Sequence, residues 1–391
     1  METSIPQKKS SAITWFFLEL AIIISVFSQI EPISEITRPA MYMIWIVVIV
    51  WGWIKNDYKI IVSAFAQRFI ISFVAFASFC LIAGQFNELY FSANYLSILV
   101  TPLLVTIAGD MYGNMDEALM GRLAKLYLIC SVIFAVWVQI TYFSSYSSWL
   151  LSESYIYHQK NSAGQIWASA IFIALFFIKY ENQFQKYMSY VACFFMFVMI
   201  ALCQCRTALS GLVVATMAYI LLISKHRIRL IFLFLLIIIA VRFIPFTRRF
   251  IEQALFLTKY AGTDLNTFSS GRFGLYEKAF SYIVTSPFIG VGKYYVDCSY
   301  ISIVAETGLV GLCLIELVWI KKIILCFRYR GGSLLFFMLV FYLVESLAEA
   351  FPPFGPGVSS FMFWFLSEIL CEKEGRLKKV MANESKSAEV L

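Results

Sequence analysis

The sequence predicts an all-α polytopic membrane protein with about twelve transmembrane helices and one large extracytoplasmic loop that contains short helices. Three observations support this fold class: the composition, the spacing of the apolar runs and the placement of positive charge. Of the 391 residues, 61% are hydrophobic and only 14% are charged. A soluble domain is about half apolar and a quarter charged, so this chain has more apolar surface than a soluble fold of its size can bury.

Twelve apolar runs are long enough to cross the hydrocarbon core of a bilayer, and they define the predicted spans. They lie at 12–30, 38–54, 66–84, 92–109, 123–142, 164–179, 187–204, 207–224, 228–244, 299–320, 333–350 and 356–371. The stretch 187–224 is too long for one helix, and we divide it at "CQCRT" because a charge in mid-membrane is costly. The last run is short and begins after "FPPFGPG", whose prolines end the preceding helix.

The placement of positive charge predicts the orientation of these spans. Twelve spans put both termini on one side of the membrane. With both termini in the cytoplasm, the cytoplasmic segments carry most of the 31 Lys and Arg residues, and the short outer loops carry only Arg38, Lys160 and Arg206. The others lie in or beside the long outer loop, 245–298, and long segments largely escape the rule. The net charge of +7 is therefore a signal of topology and does not indicate nucleic acid as a partner.

The predicted organisation is one transmembrane domain, 1–391, with the loop 245–298 between spans nine and ten. The sequence contains no Walker A loop and no dinucleotide-binding fingerprint. Its nine cysteines lie mostly in apolar runs, where they behave as small hydrophobes. No cluster of outer carboxylates has a clear metal-ligand spacing. We therefore expect chemistry at the outer face with no cofactor and no metal ion.

Two arginines are candidate phosphate ligands. Arg206 lies at the tip of the hairpin between spans seven and eight, where the N-terminus of span eight adds a positive dipole. The alternative is an arginine that snorkels to the interface. Arg272 lies in the first turn of a helix predicted from "SSGRFGLYEKAFSYIVTSP", capped by Ser269 or Ser270 and ended at Pro287. A cation is unfavourable at a helix start, and a bound anion would reverse the sign; the alternative is an ordinary loop arginine.

The predicted helix at Arg272 has one apolar face, which should lie on the bundle or in the interface. Its members are Phe273, Tyr276, Phe280, Ile283 and Val284.

Carboxylates flank the same region. After the turn "SPFIGVG", span ten begins near Asp297 and carries Glu306 inside it, and an intramembrane carboxylate is a functional candidate by default. Glu345 and Glu349 are four residues apart on one face of span eleven, near its outer end. These two carboxylates could act as acid and base, accept hydrogen bonds from sugar hydroxyls, or pair with the loop arginines.

Polar and aromatic residues of the outer loops are candidates for sugar contacts. His158 and Asn161 lie in "SYIYHQKNSAG", and Tyr276 lies on the predicted loop helix. An aromatic belt at the membrane interface explains the tyrosines of the first segment equally well.

Several of these motifs together resemble a known family, the O-antigen ligase/polymerase superfamily of bacterial membrane glycosyltransferases. The motifs are the tight hairpin around "CRT", the loop with "GRFGLYEKAFSYIVTSPFIGVG", the helix with "AETGLVGL" and the segment "NSAGQIW". The resemblance is specific over about 200–312 and rests on hydropathy elsewhere. It implies a GT-C-like fold with a periplasmic loop, an undecaprenyl-diphosphate-linked oligosaccharide as substrate, and Arg206 and Arg272 as the residues that hold the diphosphate.

The resemblance also implies an activity. Ligases of this superfamily typically carry a histidine just before the "AETG" helix, where this chain has Asp297-Cys298. This departure favours an O-antigen polymerase in the bacterial inner membrane, with Asp297, Glu345 and Glu349 as candidate catalytic carboxylates. Expected partners are membrane lipids and a chain-length-regulating co-polymerase. The alternatives are an O-antigen ligase acting on lipid A-core, another glycan polymerase, and a flippase for lipid-linked oligosaccharides.

Overall fold

The computed structural model describes residues 12–55, 64–87, 93–113, 117–177, 182–257, 264–269, 271–292, 294, 296–328, 333–349 and 359–369. These residues form helices and their connections. The helices are α1 (Ala12–Phe27), α2 (Glu31–Lys55), α3 (Ala64–Asn87), α4 (Ala93–Met111), α5 (Glu117–Tyr142), α6 (Tyr146–Leu150), α7 (Lys160–Phe177), α8 (Gln183–Leu202), α9 (Arg206–Leu222), α10 (Arg227–Phe243), α11 (Pro245–Ala254), α12 (Leu265–Phe268), α13 (Arg272–Thr285), α14 (Ser299–Arg328) and α15 (Ser333–Ala348). A last helix, α16, covers 361–369. The predicted cytoplasmic termini lie outside the described residues.

Each predicted apolar run overlaps one helix of the structure. By length and composition alone, four described helices could cross a membrane, or five if the bent pair Arg227–Phe243 and Pro245–Ala254 counts as one span. The four are Glu31–Lys55, Met120–Tyr142, Gln183–Leu202 and Ser299–Leu317. Five further apolar helices are shorter. The all-α class and the membrane assignment are supported, and the count of twelve spans stays a prediction.

Two helices occupy the centre of the bundle. In α7, most side chains from Ala163 to Phe177 are buried, and in α16 every side chain is buried. Residues of both helices belong to one hydrophobic cluster that extends from Leu18 of α1 to Ile369. By contrast, α10 has no buried side chain along its whole length. The bundle therefore has an inside and an outside, and α10 lies at its edge.

The segment 245–298, predicted as a long outer loop, contains three described helices, α11, α12 and α13. The first, α11, begins at Pro245 directly after α10 and is bent from it by 96°. Proline suits the first position of a helix because its missing N–H would have no partner there. The third, α13, packs against α14 through a small cluster of Ala279, Val296 and Ala305.

Two predictions about α13 need correction. The N-cap is neither Ser269 nor Ser270 but Gly271, whose φ of 84° is left-handed and which makes no side-chain cap. The predicted apolar face is divided: Tyr276 and Ile283 pack on the small cluster, but Phe273, Phe280 and Val284 are exposed. Helical spacing puts these two sets on adjacent faces. One face of α13 therefore contacts the bundle, and the other is open to the surroundings.

The turn after α13 docks into a break in α14. Gly308 interrupts α14 with a φ of 68° and a ψ of −175°, a backbone region open almost only to glycine. The peptide groups freed by the break bond to the turn: Val291 N–H donates to Ala305 O at 2.8 Å, and Leu309 N–H donates to Pro287 O at 2.8 Å. A Cβ on Gly308 would lie 2.2 Å from the backbone of Phe288. Span ten is thus broken where the sequence suggested one continuous helix.

The contact between the glycine turn and α14 also explains the position of Glu306. Its carbonyl accepts a hydrogen bond from Gly292 N–H, and its carboxylate accepts one from Tyr294 N–H at 3.3 Å. A Cβ on Gly290 would lie 2.3 Å from the Glu306 carbonyl oxygen. The buried carboxylate therefore lies against the glycine turn and helps to hold it.

Candidate functional site

Four described helices begin with a basic residue, and three of these starts lie at one end of the bundle. Lys160 is the first residue of α7, Arg206 of α9 and Arg272 of α13. A helix N-terminus carries about half a positive charge, so a cation there is disfavoured by about 0.3–1 kcal/mol. Three such positions in one region concentrate positive potential, which favours a negatively charged group.

Arg272 is held between two carboxylates. Its Nε donates to Asp297 Oδ2 at 3.4 Å, and its Nη2 donates to Glu349 Oε1 at 3.2 Å. Burial alone would lower the pKa of the Arg272 guanidinium, but the charges of Glu349 and Asp297 raise it above its ordinary value. The arginine therefore stays charged at any working pH. The prediction that the span-eleven glutamates could pair with a loop arginine is confirmed for Glu349.

The backbone around these carboxylates is also fixed. Tyr276 donates its hydroxyl to the Asp297 carbonyl at 3.2 Å, and Ser299 donates its hydroxyl to the Glu349 carbonyl at 2.9 Å. The start of α14, the end of α15 and the start of α13 are thereby tied together. Asp297 and Glu349 belong to different elements that share Arg272.

Glu345 lies one helical turn deeper than Glu349 and is fully buried. Its Oε2 accepts a hydrogen bond from Gln165 Nε2 of α7 at 3.2 Å. Ser359 donates its hydroxyl to Gln165 Oε1, and Tyr342 donates to the Ser359 carbonyl at 3.0 Å. Among the described residues, the second carboxylate oxygen of Glu345 has no hydrogen-bond partner. This chain connects the two central helices, α7 and α16, to the charged end of α15.

Lys160 and Arg206 lie together with Tyr155 beside the α8–α9 hairpin, and we call this group the hairpin cluster. Lys160 donates its Nζ to the Gln204 carbonyl at 3.2 Å and lies 3.3 Å from the centre of the Tyr155 ring. Burial would raise the pKa of Tyr155, but Lys160 and Arg206 beside its hydroxyl lower it. The charge of Lys160 also acts on Glu349, and the Asn161 side chain lies beside the same carboxylate. The hairpin cluster and the Arg272 cluster therefore share one electrostatic environment.

Gln204 at the hairpin tip is strained and unpaired. Its φ is 55°, which is unusual for a residue with a side chain, and it is fully buried. Neither side-chain amide atom has a hydrogen-bond partner among the described residues. An unpaired buried polar group costs about 1–3 kcal/mol. Strain and an unpaired group at one position are typical of a functional site.

Most of the predicted site residues come together. Arg206, Arg272, Asp297, Glu345 and Glu349 all lie in or beside the charged cluster, and Asn161 joins it through Glu349 and through Cys205, whose Sγ lies 3.5 Å from Asn161 Oδ1. Tyr276 lies beside Asp297. His158 is exposed, and no described contact links its side chain to the cluster.

Lys160, Gln165 and Gln204 were not predicted as site residues. A signal for Lys160 was present, because it was one of three basic residues in the short outer loops. Gln165 and Gln204 are neutral side chains in apolar surroundings, and only their contacts show their place in the site. Among the described residues, no group of three or more His, Cys, Asp or Glu residues is arranged to hold a metal ion.

The fold and site thus define a class: an all-helical membrane protein with a cluster of three basic and three acidic side chains at one end of its bundle. Residues 191–316 match the family model described as O-antigen ligase, which supports the resemblance of this segment to the O-antigen ligase/polymerase superfamily. The segment contains α9, α10, α11 and α13, and it includes Arg206, Arg272 and Asp297. No curated protein matches the chain. The family indicates a glycosyltransferase-type enzyme of the membrane.

Proposed function

We propose that the protein is an O-antigen polymerase that joins lipid-diphosphate-linked repeat units at the periplasmic face of the inner membrane. The growing glycan would move from its undecaprenyl diphosphate to a hydroxyl of a second lipid-linked unit. The observation that carries the proposal is a group of three cations at helix starts. Lys160 and Arg206 both act on Tyr155, Arg272 pairs with Asp297 and Glu349, and the charge of Lys160 also acts on Glu349.

The three cations would bind the donor's diphosphate and stabilise it as it leaves. In the transfer, the acceptor oxygen forms a bond to the anomeric carbon, and the bond from that carbon to the phosphate oxygen breaks. Negative charge then grows on the diphosphate, where fixed cations and helix dipoles are most effective. The donor carries its own leaving group, so the proposed reaction needs neither a nucleotide nor a metal ion.

A carboxylate beside Arg272 would take the proton from the attacking hydroxyl. Asp297 and Glu349 are the candidates, because both hold Arg272 and are partly accessible. A bound diphosphate would compete for the same guanidinium. Its arrival would release one carboxylate from the ion pair and make it available as a base. Glu345 is fully buried, so we assign it a positioning role through Gln165 and the end of α15.

Residues of the neighbouring loops would contact the sugars. Asn161 lies beside Glu349, and Tyr276 lies beside Asp297, so both would be near the proposed reacting groups. His158 is exposed in the same loop as Lys160 and could contact only a more distant part of the glycan.

The second candidate is an O-antigen ligase, which the description of the matching family model favours. Asp297-Cys298 stands where ligases of the superfamily typically carry histidine, and this favours the polymerase. A flippase is the third candidate, but the charged side chains gather at one end of the described bundle, whereas a transporter commonly places its site near the membrane midplane.

A deletion strain distinguishes the polymerase from the two other candidates on one gel. Loss of a polymerase leaves lipopolysaccharide with a single repeat unit, and loss of a ligase leaves lipopolysaccharide with no repeat. Loss of a flippase leaves the lipid-linked unit on the cytoplasmic leaflet. We expect single-repeat lipopolysaccharide, restored to a full ladder by the wild-type gene. A strain with no repeat at all would contradict the polymerase assignment.

A further inference from the structure

A second group of arginines lines a groove at the bend between α10 and α11. The groove has a volume of about 500 Å³ and is lined by Arg242, Phe243, Pro245, Arg248, Arg249 and Glu252. None of these residues belongs to the Arg272 cluster or to the hairpin cluster. The groove therefore has its own set of basic side chains.

The groove is strongly basic. Three arginines face one carboxylate, and that carboxylate is paired with Arg248, whose Nε lies 2.7 Å from Glu252 Oε1. Arg242 and Arg249 are exposed, and neither takes part in an ion pair among the described residues. The start of α11, a helix of ten residues, adds a positive dipole at the bend. The groove therefore has an excess of positive charge with two guanidinium groups available.

The arginine face of α11 is held in place by the opposite face. Phe250 lies 5.3 Å from Trp149, measured between ring centres, and Gln253 Nε2 donates to the carbonyls of Trp149 and Ser152 at 2.8 Å each. Gln253 and Ala254 are buried against the bundle. Arg248 and Arg249 therefore project from an anchored helix.

The surroundings of the groove indicate the depth at which it lies. Apolar side chains of α10 are exposed along the helix, which is the pattern of a helix that faces hydrocarbon. Because α11 is bent by 96° from α10, it would lie nearly in the plane of the membrane, at the level of the lipid headgroups. Phe243 and Phe246 are 79% and 62% exposed beside the bend. The ligand should therefore have both a negative charge and an apolar part.

We propose that the α10–α11 groove binds the phosphate of a membrane lipid, with Arg242 and Arg249 as its principal ligands. Arginine presents several N–H donors in a planar fork that fits phosphate oxygens. Two sources have this chemistry: the headgroup of an acidic phospholipid and the diphosphate of a lipid-linked glycan. The proposal does not depend on the polymerase assignment.

The test measures lipid binding by the purified full-length protein in neutral detergent, using native mass spectrometry. All proteins carry Arg272→Ala, so that diphosphate binding at the other cluster is weakened. The test variant is Arg242→Gln/Arg249→Gln, and the matched control is Arg229→Gln/Lys278→Gln, which removes two exposed cations elsewhere. The ligands are short-chain phosphatidylglycerol, short-chain phosphatidylcholine and farnesyl diphosphate.

We expect the parent and the control to bind an anionic ligand about tenfold more tightly than phosphatidylcholine, and the test variant to lose this preference. Loss confined to phosphatidylglycerol identifies a bilayer lipid, and loss confined to farnesyl diphosphate identifies a lipid diphosphate. The charge-retaining variant Arg242→Lys/Arg249→Lys should keep most of the preference. If the test variant fails to fold, Arg249→Gln alone, at an exposed position, replaces it. Unchanged affinity of the Gln variant for both anionic ligands would overturn the proposal.

Discussion

Arg272 occupies a position that is unfavourable for a cation, and its neighbours compensate for the cost. As the first residue of α13, it lies at the positive end of the helix dipole. Asp297 and Glu349 offset this repulsion in the absence of a ligand. A diphosphate would do the same with a larger charge, so exchange of carboxylate for phosphate is electrostatically feasible.

Removal of the Arg272 guanidinium should reduce polymer formation more than it reduces the amount of folded protein. We expect Arg272→Ala to lower the rate about a hundredfold or more, which is the usual effect of removing one donor to developing negative charge. Arg272→Lys should recover part of this loss, because a single ammonium cannot contact two partners as a planar fork does.

The readout for Arg272 is the lipopolysaccharide ladder, normalised to protein in the membrane fraction. Lys278→Ala, on the exposed side of the same helix, serves as the control and should leave the ladder unchanged. A full ladder from well-expressed Arg272→Ala would show that this arginine is not needed for the reaction.

Gln204→Gly should separate stability from function at the hairpin tip. Glycine adopts the left-handed backbone of this position without strain, and it removes a buried amide that has no described partner. We therefore expect an unchanged or higher Tm together with a shorter ladder. Gln204→Ala, which keeps the strain, should have an equally short ladder and a lower Tm than the Gly variant. If both variants make full ladders, the amide of Gln204 has no part in the reaction.

At the scale of elements, the broken helix α14 and the glycine turn form one unit. The break at Gly308 frees peptide groups that would cost free energy inside a membrane, and the turn 287–292 satisfies them. The same unit delivers the chain to Asp297. The spacing between "SPFIGVG" and "AETG" is therefore a requirement of backbone hydrogen bonding.

Gly308→Ala should destabilise the protein more than Gly271→Ala does. Both glycines have a positive φ, and alanine costs about 1–2 kcal/mol in the left-handed conformation of Gly271. The strain is larger at Gly308, whose φ and ψ are open almost only to glycine. At Gly271 the new Cβ meets nothing within 4 Å, whereas at Gly308 it overlaps the Phe288 backbone. Thermal unfolding in detergent should therefore show the larger fall in Tm for Gly308→Ala. Equal shifts would mean that the turn does not depend on close contact with α14.

Gly164→Ala tests the contact between α7 and the α8–α9 hairpin. A Cβ on Gly164 would lie 2.8 Å from Cys205 Sγ and 2.9 Å from the Ala208 Cβ, so the hairpin must move away. We expect a lower Tm and reduced polymer, because Arg206 and Gln204 move with the hairpin. Gly121→Ala is the matched control: its Cβ meets nothing within 4 Å, and alanine in a helix is stabilising by about 0.5–1 kcal/mol. A Tm for Gly164→Ala equal to that of the control would contradict tight packing at this position.

At the scale of the whole molecule, the orientation in the membrane decides which compartment the charged site faces. Lys278 of α13 belongs to the same loop as Arg272, and Lys186 lies at the start of α8. If the predicted orientation is right, a membrane-impermeant maleimide added to intact spheroplasts should label Lys278→Cys and not Lys186→Cys, relative to the parent chain. Lysis should expose both. Labelling of Lys186→Cys alone in intact cells would place the site in the cytoplasm and rule out the proposed chemistry.

The order of the helices could be predicted, because apolar runs of membrane length are strong local signals. Most of the site residues could be predicted as well, since a charged side chain is unusual beside such runs. The N-cap of α13 could not, because Ser269 and Ser270 were the predicted caps and only the backbone path shows that the helix begins after Gly271. The break in α14 could not either, since Gly308 alone does not show that a distant turn replaces its hydrogen bonds.

The composition and the positions of charged residues along the chain determine that it is a helical membrane protein. They also indicate that most charged side chains lie near helix ends, because the free energy of transfer into the membrane acts on each residue separately. The tertiary structure alone decides which of these charged side chains pair with each other. Arg272 lies 25 residues from Asp297 and 77 from Glu349 along the chain, and only packing of α13, α14 and α15 brings the three together. Ion pairs and hydrogen bonds act over a few ångströms, so the arrangement that could bind a diphosphate exists only once the helices have packed.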